Sequence, residues 1–101
     1  MVLKEKGVFA TPAAGRYLQQ LCKHFAHKVE VRFDDTRGEA ALPPGPAVMA
    51  ATPERLEIVI SAADAEGLEL ARGIIDSHLV RFAFREDFTG MDWQGEDHSN
   101  Q

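Results

Sequence analysis

Residues 29–62, "VEVRFDDTRGEAALPPGPAVMAATPERLEIVISA", decide the fold. In "VEVRFD" apolar and polar residues alternate strictly. Val29, Val31 and Phe33 face one way; Glu30, Arg32 and Asp34 face the other, the period of a half-buried strand. "DTRG" is a turn, and "EAAL", 39–42, is a weaker strand. "PPGP" is a loop, because proline cannot donate to a ladder. "AVMAAT", 47–52, and "LEIVISA", 56–62, read as two further strands joined around Pro53-Glu54. None of these connections is long enough for a crossover helix, so the four strands form an antiparallel meander. Leu56, Ile58, Ile60 and Ala62 point inward. Val59 and one of Val48 or Met49 leave apolar surface on the other face.

Upstream, "TPAAGRYLQQLCKHFAHK" spaces Leu18, Leu21, Cys22 and Phe25 along one helical face. Thr11 is placed to cap this helix and Pro12 suits its first turn. Lys28 closes it where the helix dipole favours a cation. Downstream, "DAEGLELARGIIDSHLVRFAF" carries a stripe of Leu68, Ala71, Ile75, His78, Leu79 and Phe82, with Ile74 beside it and Asp64 or Ser61 as cap. An amphipathic meander and two amphipathic helices bury one another most simply as an α+β two-layer sandwich with both helices on one face of the sheet. "GVFA", 7–10, is read as an edge strand, and "FTGMDWQ" as a last strand anchored by Trp93. The organisation expected is a flexible leader over 1–6, one domain over 7–94 and a disordered tail over 95–101. The predicted core holds Leu18, Leu21, Phe25, Val31, Phe33, Ile58, Ile60, Ile75 and Leu79.

Charge narrows the function classes. The chain carries a net charge of −5, which argues against non-specific nucleic-acid binding. The charge is unevenly placed: residues 1–33 hold six Lys/Arg against two Asp/Glu, a balance of +4, and residues 34–101 a balance of −9. The two parts compensate each other on packing, or the first helix offers a cationic face to an anionic ligand or partner. No apolar run is long enough to span a membrane, and the N-terminus does not read as a signal peptide. A single cysteine fits a reducing compartment, so a cytoplasmic protein is expected.

Two stretches, "TPAAGRYLQQLCKHFAHKVEVRFD" and "SHLVRFAFRED", with "MDWQ" after the second, resemble a bacterial family known as domain of unknown function 2218, over roughly residues 8–94. The resemblance carries no established activity. It implies a link to iron handling, since similar domains are found fused to siderophore-interacting, flavin-binding reductase-like proteins.

The residues that could carry chemistry cluster in "LCKHFAHKV", 21–29. His24 and His27 stand three apart, which on a continuous helix puts their Cβ atoms about 5–6 Å apart. That spacing makes them a tentative metal pair. Cys22 lies about 200° round the helix from His24, in the core stripe, and reads as an inert buried thiol. Two histidines fall short of a four-ligand structural zinc site. Arg16, Tyr17, His24, His27, Lys28, His78, Arg81 and Arg85 are the candidate ligand-binding residues, able to hold a carboxylate or phosphate by charge-assisted bonds. A solvated basic helix end and a surface ion-pair network are the plainer readings of the same residues. No phosphate loop, nucleophile elbow or nucleophile–base–orienter set is present.

The reading is therefore a non-enzymatic binding domain for an anionic or metal-containing ligand, in iron or siderophore metabolism; no cofactor is specified. The rival is an interaction module that forms a homodimer or docks on a reductase through its sheet face.

Overall fold

The computed structural model describes residues 2–83, 86, 88 and 90–95. It contains strands β1 (Leu3–Ala10), β2 (Val31–Phe33), β3 (Arg37–Leu42), β4 (Gly45–Ala51), β5 (Arg55–Ala62) and β6 (Asp92–Gly95), with helices α1 (Ala14–Phe25) and α2 (Ala65–Phe82). One six-stranded sheet has the order β2-β3-β4-β5-β1-β6, and every pairing is antiparallel. The meander is present as expected. Pro46 is accommodated because it sits opposite Ala41, before the β4–β5 ladder begins at Ala47.

β1 differs from expectation. It is not an edge strand: it lies between β5 and β6, and it begins at Leu3, so residues 3–6 are paired backbone rather than a leader. Its charges disguised it. Glu5 lies opposite Ile60 and so faces the helices, where Arg72 Nη1 donates to it at 2.6 Å. Lys6 faces the other way and bridges to Glu57 at 3.1 Å. β6 ends at Gly95, and the disordered tail expected beyond it lies outside the described residues.

The register shows that both helices cover one face. Phe33, Gly38, Met49, Ile58, Gly7 and Trp93 form a continuous row across all six strands. Cys22 of α1 approaches this row at Gly38 and Met49. Asp76 of α2 approaches it at Trp93, accepting the indole N–H at 3.0 Å. The core between the layers holds Leu18, Leu21, Met49, Leu56, Ile58, Ile60, Ile75 and Leu79, each fully buried. Two expected core residues fall short. Val31 is half-buried, and Phe33 is 39% exposed. Their parity is right, but β2 is an edge strand and the helices leave its end uncovered.

Asp64 is the cap of α2, accepting the Gly67 N–H at 2.8 Å; Ser61 belongs to β5. Thr11 does not cap α1. Its hydroxyl closes the preceding turn by accepting from Ala13 N–H at 3.1 Å, and the cap position itself is Ala13. Among the described residues no helix is long and apolar enough to cross a membrane.

Candidate functional site

α1 ends at Phe25, and this early stop decides the site. The chain leaves the helix through turns in which Lys28 and Val29 both donate to the Phe25 carbonyl. His24 is therefore in the last helical turn while His27 lies beyond it, exposed. The neighbour rule for positions three apart requires a continuous helix, so it does not extend to His27, although His27 stays near enough for its charge to bear on His24. The ring of His24 meets that of His78 on α2, with centroids 4.6 Å apart and planes at 59°. Phe25 approaches His78 edge-on at 5.0 Å, and Phe82 approaches His24 at 6.1 Å.

His78 has a defined orientation. Its Nδ1 lies 2.6 Å from the carbonyl oxygen of Ile74. A carbonyl only accepts, so Nδ1 carries the hydrogen and the neutral ring keeps its lone pair on Nε2. His24 is exposed, yet its pKa is held below the ordinary histidine value, first by desolvation and then by the positive charges of His78, His27, Lys28 and Arg81.

Beside these rings lies a cleft of about 220 Å³ between the helix ends and the β3–β4 turn. His24, Phe25, Lys28 and His78 form one side, and Leu42, Pro43 and Ile74 give it an apolar wall. Through Pro43, Ile74 and His78 it continues into a wider, open groove of about 880 Å³ along α2, past Pro44, Leu70 and Gly73. Leu70 is 57% exposed there.

The other candidate residues separate from this cleft. Tyr17 is only 3% exposed; its ring stacks on Phe9 and its hydroxyl donates to Glu86. Burial raises its pKa first, and the Glu86 bond adds to that. The Arg16 guanidinium lies 5.6 Å from the Tyr17 ring centroid. These two residues thus build a second cluster, at the start of α1. Arg81 is exposed on α2 and contributes charge toward His24. Arg85 lies outside the described residues. Cys22 is fully buried with its thiol pushed up to about 11 by desolvation, in keeping with an inert core residue. Among the described residues no three His, Cys, Asp or Glu side chains converge as metal ligands.

The sequence reading missed two acidic anchors. Asp76 accepts from Met91 N–H and Trp93 Nε1, both at 3.0 Å. Glu86 accepts from Thr11, at 3.1 Å, and from Tyr17. All four bonds run between distant parts of the chain, which no local pattern marks. The spacing of His78 and Phe82, four apart on one helix, was the available signal for the aromatic cluster.

Fold and cleft together define a two-layer α+β domain with a histidine-bearing recess where its helices meet the β3–β4 turn. The chain belongs to a family of uncharacterised proteins conserved in bacteria, domain of unknown function 2218, whose sequence model matches residues 6–94. It is also similar to PA4090 from Pseudomonas aeruginosa, whose NMR structure shares 27% sequence identity at a TM-score of 0.75, covering 91% of this chain and 95% of that one. No match among curated proteins was found.

Proposed function

We propose that the protein is a small non-enzymatic binding domain of the bacterial cytoplasm, and that the cleft at His24 and His78 receives a ligand with an apolar body and an anionic end. One observation carries this reading. Lys28 stands beside His24 on one side of the cleft and Arg81 adds positive charge toward it, while the adjoining wall of Leu42, Pro43 and Ile74 is apolar. An arriving carboxylate or phosphate would relieve that repulsion and accept charge-assisted hydrogen bonds from a newly protonated His24 and from Lys28. Leu42, Pro43 and Ile74 would take the apolar body.

A second reading rests on the orientation of His78. Anchored through Nδ1–H to a backbone carbonyl, it is held in the way metal-ligating histidines are, with Nε2 free of any hydrogen-bond partner among the described residues. An anionic iron chelate, such as a ferric siderophore or haem, would satisfy both the cationic surroundings and this nitrogen. Free zinc would meet the same cations with only two histidines to hold it.

The two readings differ in sign with pH. An anion held by protonated His24 binds more tightly as pH falls through the histidine range; a metal bound to neutral imidazole binds more weakly below about 6.5. The experiment titrates wild type and His24→Ala/His78→Ala with haem, a ferric siderophore, zinc and a metal-free aromatic carboxylate at several pH values. Equal binding by both proteins, or none by either, would remove the cleft as a ligand site.

A further inference from the structure

The sheet face turned away from the helices carries one register row across all six strands: Arg32, Glu39, Val48, Val59, Lys6 and Gln94. Its chemistry is self-complementary about the middle of the row. Two apolar residues sit at the centre, an acid flanks them on β3 and a base flanks them on β1. Val48 is 45% exposed, and neither helix reaches this side.

We infer that this face binds a second copy of the same chain, through a two-fold axis that runs along the strands between β4 and β5. Such an axis sets β4 against β5 and β3 against β1. Val48 then meets Val59 of the second copy, and Glu39 meets Lys6 of the second copy; symmetry makes each contact twice. Lys6 is already positioned by its bridge to Glu57, and an ammonium has three hydrogens to donate, so it can serve both acids. In the adjacent row Arg37 on β3 falls between Glu57 on β5 and Asp92 on β6 of the second copy, again base against acid. An unrelated partner would not need the face to match itself in this way.

The area suits a modest dimer. Six strands about 4.8 Å apart and about six residues long on average span roughly 24 by 20 Å, on the order of 500 Å² per copy. A standard interface buries about 800 Å² per partner. With only a small apolar centre, a dissociation constant in the micromolar range is expected. Aligned sheets pack about 30° apart, which keeps the central pairs in contact and loosens the corners. The face lies opposite the histidine cleft, so dimerisation and ligand binding are separately testable.

The experiment is sedimentation equilibrium of the full chain over a concentration series up to about 0.5 mM. Wild type should move from 11.2 kDa toward twice that mass. Val48→Lys, at an exposed position, should keep the wild-type melting temperature and weaken association by about tenfold or more. Glu39→Lys should weaken it by setting lysine against Lys6, and Glu39→Lys/Lys6→Glu should regain it. A wild type that stays monomeric overturns the proposal. So does undiminished dimerisation of Val48→Lys, or a double variant, folded by its circular dichroism, that associates no better than Glu39→Lys alone.

Discussion

The sulfur of Cys22 occupies the space in front of Gly38: a Cβ on that glycine would stand 2.6 Å from Sγ. Neither residue is interchangeable in isolation. The glycine allows α1 to settle close to β3, and the thiol fills the gap against Met49, whose Sδ lies 3.9 Å away. Gly38→Ala should therefore cost about 1–3 kcal/mol through overpacking. Adding Cys22→Ala removes the clash, so the double variant should be more stable than the two separate losses add up to. Urea melts of the four proteins measure the coupling, which is absent if the contact is not formed.

The same burial predicts the chemistry of the thiol. With its pKa pushed to about 11, Cys22 is almost wholly protonated at neutral pH, and the thiol is a poor nucleophile in that form. Labelling by an aromatic disulfide reagent should be negligible in the native state and rapid in denaturant. Fast native labelling would place the thiol outside the core and would reopen it as a ligand.

Trp93 reports on β6. It is the sole tryptophan, its ring lies over Gly7, and its indole N–H donates to Asp76. Asp76→Ala removes that bond and the one from Met91 N–H together. A loss of about 1.5–3 kcal/mol is expected, in the range of hydrogen bonds to a charged group. Tryptophan emission should shift to the red before the main unfolding transition, because β6 is the outer strand and loses its link to α2 first. Unchanged emission and stability would show that the Asp76 bonds do not hold β6 in place.

Which parts of this architecture were legible in the sequence follows from where each interaction lies along the chain. The meander and the α2 stripe depend on period alone, and Asp64 needs only Gly67 three residues on. β1 was illegible over Lys4, Glu5 and Lys6 because a charged run looks like a leader, and the partners of Glu5 and Lys6, Arg72 and Glu57, lie far away in the chain. The site behaves alike. Cys22 could be removed from the candidate ligands by helical angle, whereas the partner of His24 depended on where α1 stops. His27 stands two residues past that stop, and His78 meets His24 from another helix. Tyr17 shared the helix with His24 but turned to Glu86 and Phe9.

Leu21 tests the placement of α1 itself. It is fully buried at the centre of the helix's inner face. Truncation to alanine should destabilise the protein by about 2–5 kcal/mol, the range for a buried leucine whose cavity cannot fully collapse. A loss well under about 1 kcal/mol in a denaturant melt would show that α1 does not rest on the sheet as described.

His24 should leave its mark on stability as a function of pH. Its pKa is lowered in the folded protein, by desolvation first and then by His78, His27, Lys28 and Arg81. The unfolded chain therefore takes up the proton more readily than the folded one. By linkage, stability contributed through this site is fully present above the unfolded value of 6.5 and is lost as pH falls below it toward the folded pKa. Asp34 and Glu57 lose stability in a separate, more acidic window. Their folded pKa values lie below 3.8 and 4.5, Asp34 held down by the Thr36 and Arg37 amides, Glu57 by Lys6 and then Arg55. Their contribution falls away only as pH drops through those carboxylate values. Melting temperature measured from about pH 7.5 downward should thus decline in wild type and decline less in His24→Gln, with the two curves converging in slope once pH is below the folded His24 pKa. If a ligand anion occupies the cleft, saturating amounts should cancel or reverse that decline, because the anion favours the protonated ring. A wild-type curve with the same slope as His24→Gln, with and without ligand, would mean that His24 feels neither its cationic neighbours nor any bound anion.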